Sequence, residues 1–217
     1  MQLNADFSQR ALVRPDSPWV ASPMQGVERR MLDRIGDEVA RATSIVRYAA
    51  GSHFSAHRHP GGEEFLVLDG VFSDERGDYP AGTYVRNPIG SQHAPFSRNG
   101  CTIFVKLMQF DPADDQHVVI DSNQAQWRQG LVPGLQVLPL HQYGSEQVAL
   151  VRWAPGTCFN PHRHWGGEEI LVLEGTFQDE LGDYPTGTWL RNPPLSQHQP
   201  FSEAGCLIWV KTGHLPG

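Results

Sequence analysis

The stretch HRHPGGEEFLVLDGVFSDERGDYPAGTYVRNPIGSQHAPFSRNGCTIFVK, residues 57–106, returns as HRHWGGEEILVLEGTFQDELGDYPTGTWLRNPPLSQHQPFSEAGCLIWVK, residues 162–211, with no residue inserted or lost between the copies. Of the 50 aligned positions 34 are identical, so the chain contains one block written twice, and a missed duplication would misassign the whole fold. Upstream, Ile45-Val46-Arg47-Tyr48 answers Leu150-Val151-Arg152-Trp153, and Met31-Leu32 answers Val137-Leu138 once a short insertion or deletion is allowed. The unit is therefore about a hundred residues, a natural domain size. Asp111-Pro112-Ala113-Asp114-Asp115 is acidic and lacks an apolar period. It marks the expected junction, giving an N-terminal domain over 1–110 and a C-terminal one over 111–217.

Within each copy, Glu64–Leu68 and Cys101–Val105 are short apolar runs bounded by Gly, Asp or Pro, the pattern of well-buried strands. Arg76-Gly77-Asp78-Tyr79-Pro80 and Asn99-Gly100 carry turn chemistry. Glycine and proline number 22 and 17 of 217 residues and charged residues are 19%, which argues against coiled coil and disorder and for many short strands. Val27–Arg34 is the one stretch with helical spacing, and reads as a single turn or as another strand. The expected class is all-β.

No apolar run approaches the roughly 20 residues of a membrane helix, and the mean hydropathy is −0.40. A formal charge of −7 without any basic run disfavours nucleic acid. The first residues, Met1–Asp6, lack the basic start and apolar stretch of a signal peptide. Cys101, Cys158 and Cys206 have no CxxC spacing and suit a reducing compartment, so the expected location is cytoplasmic, without a membrane partner.

His57 and His59 are two apart in strand-compatible sequence, so both imidazoles point to one side and Arg58 to the other. Pro60-Gly61-Gly62 turns the chain before Glu63, and His93 returns after a second turn-bounded stretch. The same set recurs as His162, His164, Glu168 and His198. Three imidazoles and a carboxylate suit zinc, iron, manganese, nickel or copper, with no soft thiolate in the set. Two copies of HxHx3E at one spacing carry more weight than a lone HxH. Adjacent Glu64 and Glu169 fall on the opposite face by strand alternation and are assigned to structure or to a rim ion pair.

Gly51-x5-His57-x-His59-x3-Glu63-x6-Gly70 resembles the first cupin motif, and Gly82-x5-Pro88-x-Gly90-x2-His93 the second. The other copy supplies Gly156, His162, His164, Glu168 and Gly175, then Gly187, Pro193 and His198. The resemblance covers essentially the whole chain. It implies two tandem cupin (double-stranded β-helix, jelly-roll) barrels, with His57, His59, Glu63 and His93 ligating a metal in one and His162, His164, Glu168 and His198 in the other. Two positions depart from the motif: Ser97 and Ser202 replace its closing asparagine, which is not a ligand, and Leu195 replaces a motif glycine, which bears on the turn there. More narrowly, GGEEFLVLDGVFSDERGDYPAGTYVRNP followed by SQHAPFS is similar to the cupin domain of ChrR-type anti-sigma factors. That family pairs a zinc-binding cupin with an N-terminal zinc module carrying His-x3-Cys-x2-Cys, a spacing this chain lacks.

The resemblance implies a metal-binding regulatory or sensory protein with up to two divalent ions, zinc first, and a protein partner in a stress response. Four protein ligands saturate tetrahedral zinc, which favours structure or sensing over chemistry. The alternative is a non-haem dioxygenase or other metal-dependent cupin enzyme acting on a small organic molecule in the barrel. Octahedral iron, nickel or manganese would keep two positions open on the same four ligands. A homo-oligomer through edge strands is compatible with either.

Among the other repeated residues, Arg86-Asn87 and Arg191-Asn192 read as loop-fixing groups or as contacts for an anionic ligand at the barrel mouth. Tyr79 and Tyr184 read as packing, and Cys101 and Cys206 as small buried hydrophobes. His53, aligned with Cys158 and sharing parity with His57, reads as a surface group or a pocket wall. Trp165 in place of Pro60 gives the second pocket a different shape.

Overall fold

The long strand Glu63–Asp74 organises the first half of the chain. Its early residues Glu63–Val67 lie between Cys101–Leu107 on one side and Thr83–Asn87 on the other, while its later residues Val71–Asp74 pair with Gly77–Pro80. The switch falls at Gly70, φ +70°, where a Cβ would collide with the carbonyl of Gly100. Just before it, the register shifts between Thr102 and Ile103. One strand thus serves both sheets of a barrel. The copy does the same: Glu168–Asp179 pairs Cys206–Thr212, Trp189–Asn192 and Gly182–Pro185, with Gly175 at the matching switch and the shift between Val172 and Glu174.

This computed structural model describes residues 1–216. It is all-β, and among the described residues there is no helix long and apolar enough to cross a membrane. Among the described residues every sheet pairing is antiparallel, and each sheet stays within one of the two units into which the contacts divide the chain. Each unit buries its own core: Val46, Tyr48, Phe65, Phe72, Val85 and Ile103 in the first, and Trp153, Ile170, Phe177, Leu190 and Ile208 in the second. Inward positions alternate along the strands, as a packed barrel requires.

Three details sharpen the sequence reading. Val27–Arg34 lies in the strand Val27–Gly36, whose register shifts between Met31 and Asp33. The extra residue, fully buried Leu32, breaks the period of two and produces the apparent helical spacing. Gly77–Pro80 is strand, and the tight turn is Glu75-Arg76, closed by the Arg76 N–H donating to Asp74 Oδ1 at 2.8 Å. Finally, the contacts divide the chain into 1–5 with 18–125 and 6–17 with 126–217, whereas the sequence divides it at 110/111. The cause is a pair of edge strands. Val118–Asp121 pairs Thr83–Arg86 of the first unit, and Ala11–Val13 pairs Trp189–Arg191 of the second.

Candidate metal centre

His57 and His93 sit directly opposite each other on the paired strands His57–Arg58 and Gln92–His93, as His162 and His198 do on their own pair. His59 is held one residue past its strand, its N–H donating to the Ser91 carbonyl at 2.9 Å and its carbonyl accepting from Gly90 N–H. In the second unit His164 makes the same two bonds with Ser196 and Leu195. Leu195 therefore keeps the turn that a glycine makes in the first copy, at φ +67° against +83° for Gly90. The carboxylate arrives at the first residue of each long strand.

Each of the two sets offers one ligand atom per residue, and within each set these atoms lie within 4.8 Å of one another. Glu63 Oε2 is 3.5 Å from both His59 Nε2 and His93 Nε2. Glu168 Oε2 is 3.4 Å from His164 Nε2 and 3.5 Å from His198 Nε2, and those two nitrogens are 3.0 Å apart. His57 and His162 are half-buried and the other six are buried.

Hydrogen bonds behind the rings aim them. His57 Nδ1–H donates to the Ser55 carbonyl at 3.1 Å and His162 Nδ1–H to Asn160 at 2.9 Å. A carbonyl can only accept, so Nδ1 carries the proton and Nε2 presents its lone pair inward. His93 Nδ1 meets Asp74 Oδ2 at 3.2 Å, and His198 Nδ1 meets Asp179 Oδ2 at 3.3 Å. Tyr79 and Tyr184 donate to the other oxygens of those aspartates, at 3.1 and 2.6 Å, so they orient a carboxylate in addition to packing. Asn87 and Asn192 each donate to the site glutamate at 3.0 Å.

The donor set fits a cation. His59 Nε2 and His93 Nε2 are buried with no hydrogen-bond partner, a costly state for a polar atom that a bound ion would relieve. Burial, reinforced by the neighbouring imidazoles, pulls His59 and His164 down to about 3, so both rings are neutral and free to ligate. Burial pushes Glu63 up to about 7 against the pull of the Asn87 hydrogen bond, and raises Glu168 too. The twins differ at the third imidazole. Burial lowers His93, whereas in His198 burial is outweighed by the hydrogen bond and charge of Asp179 together with Glu168.

Of the other residues singled out in the sequence, Arg86 and Glu64 form an ion pair at 2.9 Å that is fully buried and not at the rim. Asp114 closes it from the far side at 2.6 Å, and Phe110 lies 3.8 Å from the guanidinium carbon. The acidic stretch at 111–115 thus plugs the first unit. Arg191 is equally buried, beneath Phe7 and within reach of the Asp6 carbonyl, and Glu169 accepts from Trp189 Nε1 and pairs with His214. His53 is exposed and stacks on Phe96. Cys101 and Cys206 are buried thiols raised by burial, Cys206 to about 11.

Sequence reasoning missed Asp74, Asp179 and Arg10. Arg10 donates to Asn192 Oδ1 at 3.0 Å and Tyr184 Oη at 2.6 Å, and lies 3.9 Å from Asp179. It braces both groups that hold the second site. The repeated Asp of SDERGDYP and QDELGDYP was a visible signal, whereas Arg10 lies outside the duplicated block and left none.

A model of the ChrR cupin-like domain matches residues 8–111 and again 115–216. No curated protein matches. Among solved structures, a "putative dioxygenase" from Nostoc punctiforme superposes with TM-score 0.81 at 14% identity, over 96% of this chain and 84% of that one. Pirin YhhW from Escherichia coli, in complex with nickel(II), gives 0.68 at 15% over 96% and 99%. Oxalate decarboxylase from Lactobacillus farciminis, in a formate complex, gives 0.66 at 11% over 94% and 86%. At such identities the structural likeness speaks for the fold alone. With the family model covering both halves, and two clustered His/Glu sets on two cupin barrels, the chain is a bicupin that belongs to the ChrR cupin-like domain family.

Proposed function

We propose that the chain is a divalent-metal sensor of ChrR type, holding one ion on His57, His59, Glu63 and His93 and a second on His162, His164, Glu168 and His198. The observation that carries this reading is the convergence of three imidazoles and a carboxylate in each barrel, with buried Nε2 atoms lacking any other partner in the first. Four protein donors suit zinc, which would supply a fixed charge holding each barrel's ligand strands together. Loss of one ligand by protonation or oxidation would then loosen the strands that carry it, and a protein partner in a stress response would read that change. The three free cysteines accord with a reducing, cytoplasmic setting.

One observation favours a second reading, a metal-dependent enzyme of the oxygenase kind. A cavity in the first unit reaches His57, His59 and Glu63, so a small molecule could approach that centre. Elemental analysis of protein purified without added metal, combined with oxygen-uptake measurements on small organic substrates, separates the two. The sensor reading expects about two zinc per chain and no uptake. Iron with substrate-dependent oxygen consumption would replace it with the enzyme, and a metal-free protein that takes up none of these ions on titration would end both.

A further inference from the structure

The cavity of the first unit has a volume of about 330 Å³, at the small end of ligand pockets. Val46, Tyr48, Phe54, Ile103 and Val105 give it apolar walls, and His57 and Glu63 are also on its lining. Arg29 and exposed Glu38 also line it. Arg29 is largely buried, its side chain 19% exposed, yet its Nε has no hydrogen-bond partner. Its ion pair is with Glu38, at 3.5 Å, and the Glu38 side chain is 68% exposed. A loose pair to a solvated carboxylate leaves most of the guanidinium fork available.

The fold does not require a cation there. Arg29 stands opposite Val46 in the sheet, and in the second unit Val137 stands opposite Val151 at the same place. The duplicated copy therefore builds the same strand pair with valine. An arginine kept half-satisfied beside an apolar cavity costs stability that the valine copy does not lose. Guanidinium matches a carboxylate in a planar, two-point pairing, and apolar walls exclude a strongly hydrated dianion such as phosphate. An amine would meet the arginine's own charge.

We infer that this cavity binds a small apolar monocarboxylic acid, with its carboxylate on Arg29 in place of Glu38 and its apolar body against Tyr48, Ile103 and Val105, reaching towards His57. The acid would be the signal or the substrate of the first barrel, and in this the inference rests on the reading of that barrel as a metal centre. The second barrel, with Val137, would not share it.

Calorimetric titration of the zinc-treated full chain with 3-phenylpropanoate, 3-phenylpropan-1-ol and 3-phenylpropylamine tests this. The acid should bind once per chain, at least tenfold tighter than the alcohol, with the amine weaker still. Arg29→Val, which copies the second unit, should lower acid affinity at least tenfold and bring acid and alcohol level. Glu38→Gln, which removes the competing carboxylate, should raise acid affinity severalfold and serves if Arg29→Val does not fold. The inference is overturned by no binding of the acid, by equal affinity for acid and alcohol, or by an acid affinity unchanged in either variant. Two acids per chain would overturn it as well, because the carboxylate would then be held by the His/Glu groups common to both barrels. Zinc content of the same samples reports on the metal reading separately: an acid that binds Arg29 in protein without zinc would leave this inference standing and remove that one.

Discussion

The two barrels keep the same four donor types, the same aspartate behind the third histidine and the same asparagine behind the glutamate, yet part of what surrounds those groups differs. In the first unit the centre opens on an apolar cavity with Arg29 on its lining. In the second, Arg10 clamps Asn192, Tyr184 and Asp179 from behind, and exposed Trp165 and Leu195 replace Pro60 and Gly90 around it. Duplication has conserved the donor set and let part of its surroundings diverge.

The sharpest break would come at the ligands. His57→Ala and His162→Ala should each lower bound metal by about one equivalent, and the double variant by about two, as read by elemental analysis. Unchanged stoichiometry in the double variant would remove the basis of the comparison. Next in size is the buried arginine pair. Arg86→Ala removes the guanidinium that pairs with buried Glu64 and Asp114 and should cost about 3–5 kcal/mol in denaturant unfolding. Arg191→Ala, at the matching position of the second unit, should cost a similar amount, because that side chain is equally buried. Equal losses would show the two plugs to be energetically alike.

Arg10→Ala should weaken metal binding roughly tenfold at the second site and leave the first unchanged, the usual scale for a group that orients a ligand's partner. A competitive chelator titration resolves the two sites, and parallel weakening of both would contradict the assignment. The smallest effect is at the loop. Leu195→Gly should stabilise the second unit by about 1 kcal/mol by relieving a left-handed residue, whereas Gly90→Leu should destabilise the first by a similar amount. Thermal unfolding of the two variants would show the opposite signs.

Much of this was legible in the sequence because the repeat aligned the signals. Each HxHx3E and its distant histidine could be read twice, and the fold brings both sets together. The all-β class followed from short apolar runs between turn residues. What stayed hidden depended on pairing across distance. His93 and Asp74 are 19 residues apart, and only the hairpin at Glu75-Arg76 and the return of the chain make them neighbours. Leu32 sits at a register shift that disguises a strand, because spacing alone cannot show an extra residue absorbed in a ladder. Arg29 looks like any charged strand residue until the sheet register sets it against Val137 of the copy.

The edge strand Ala11–Val13 has a further consequence for how the molecule is made. Its partner, Trp189–Arg191, is translated near the opposite end of the chain, so the strand leaves the ribosome long before anything exists for it to pair with. The first barrel, by contrast, has all its strands once Asp121 has emerged and can close at once. Biogenesis is then expected to run in two stages, with residues 6–17 idle through the first. That interval is when an unpaired edge is open to a chaperone or to a neighbouring nascent chain.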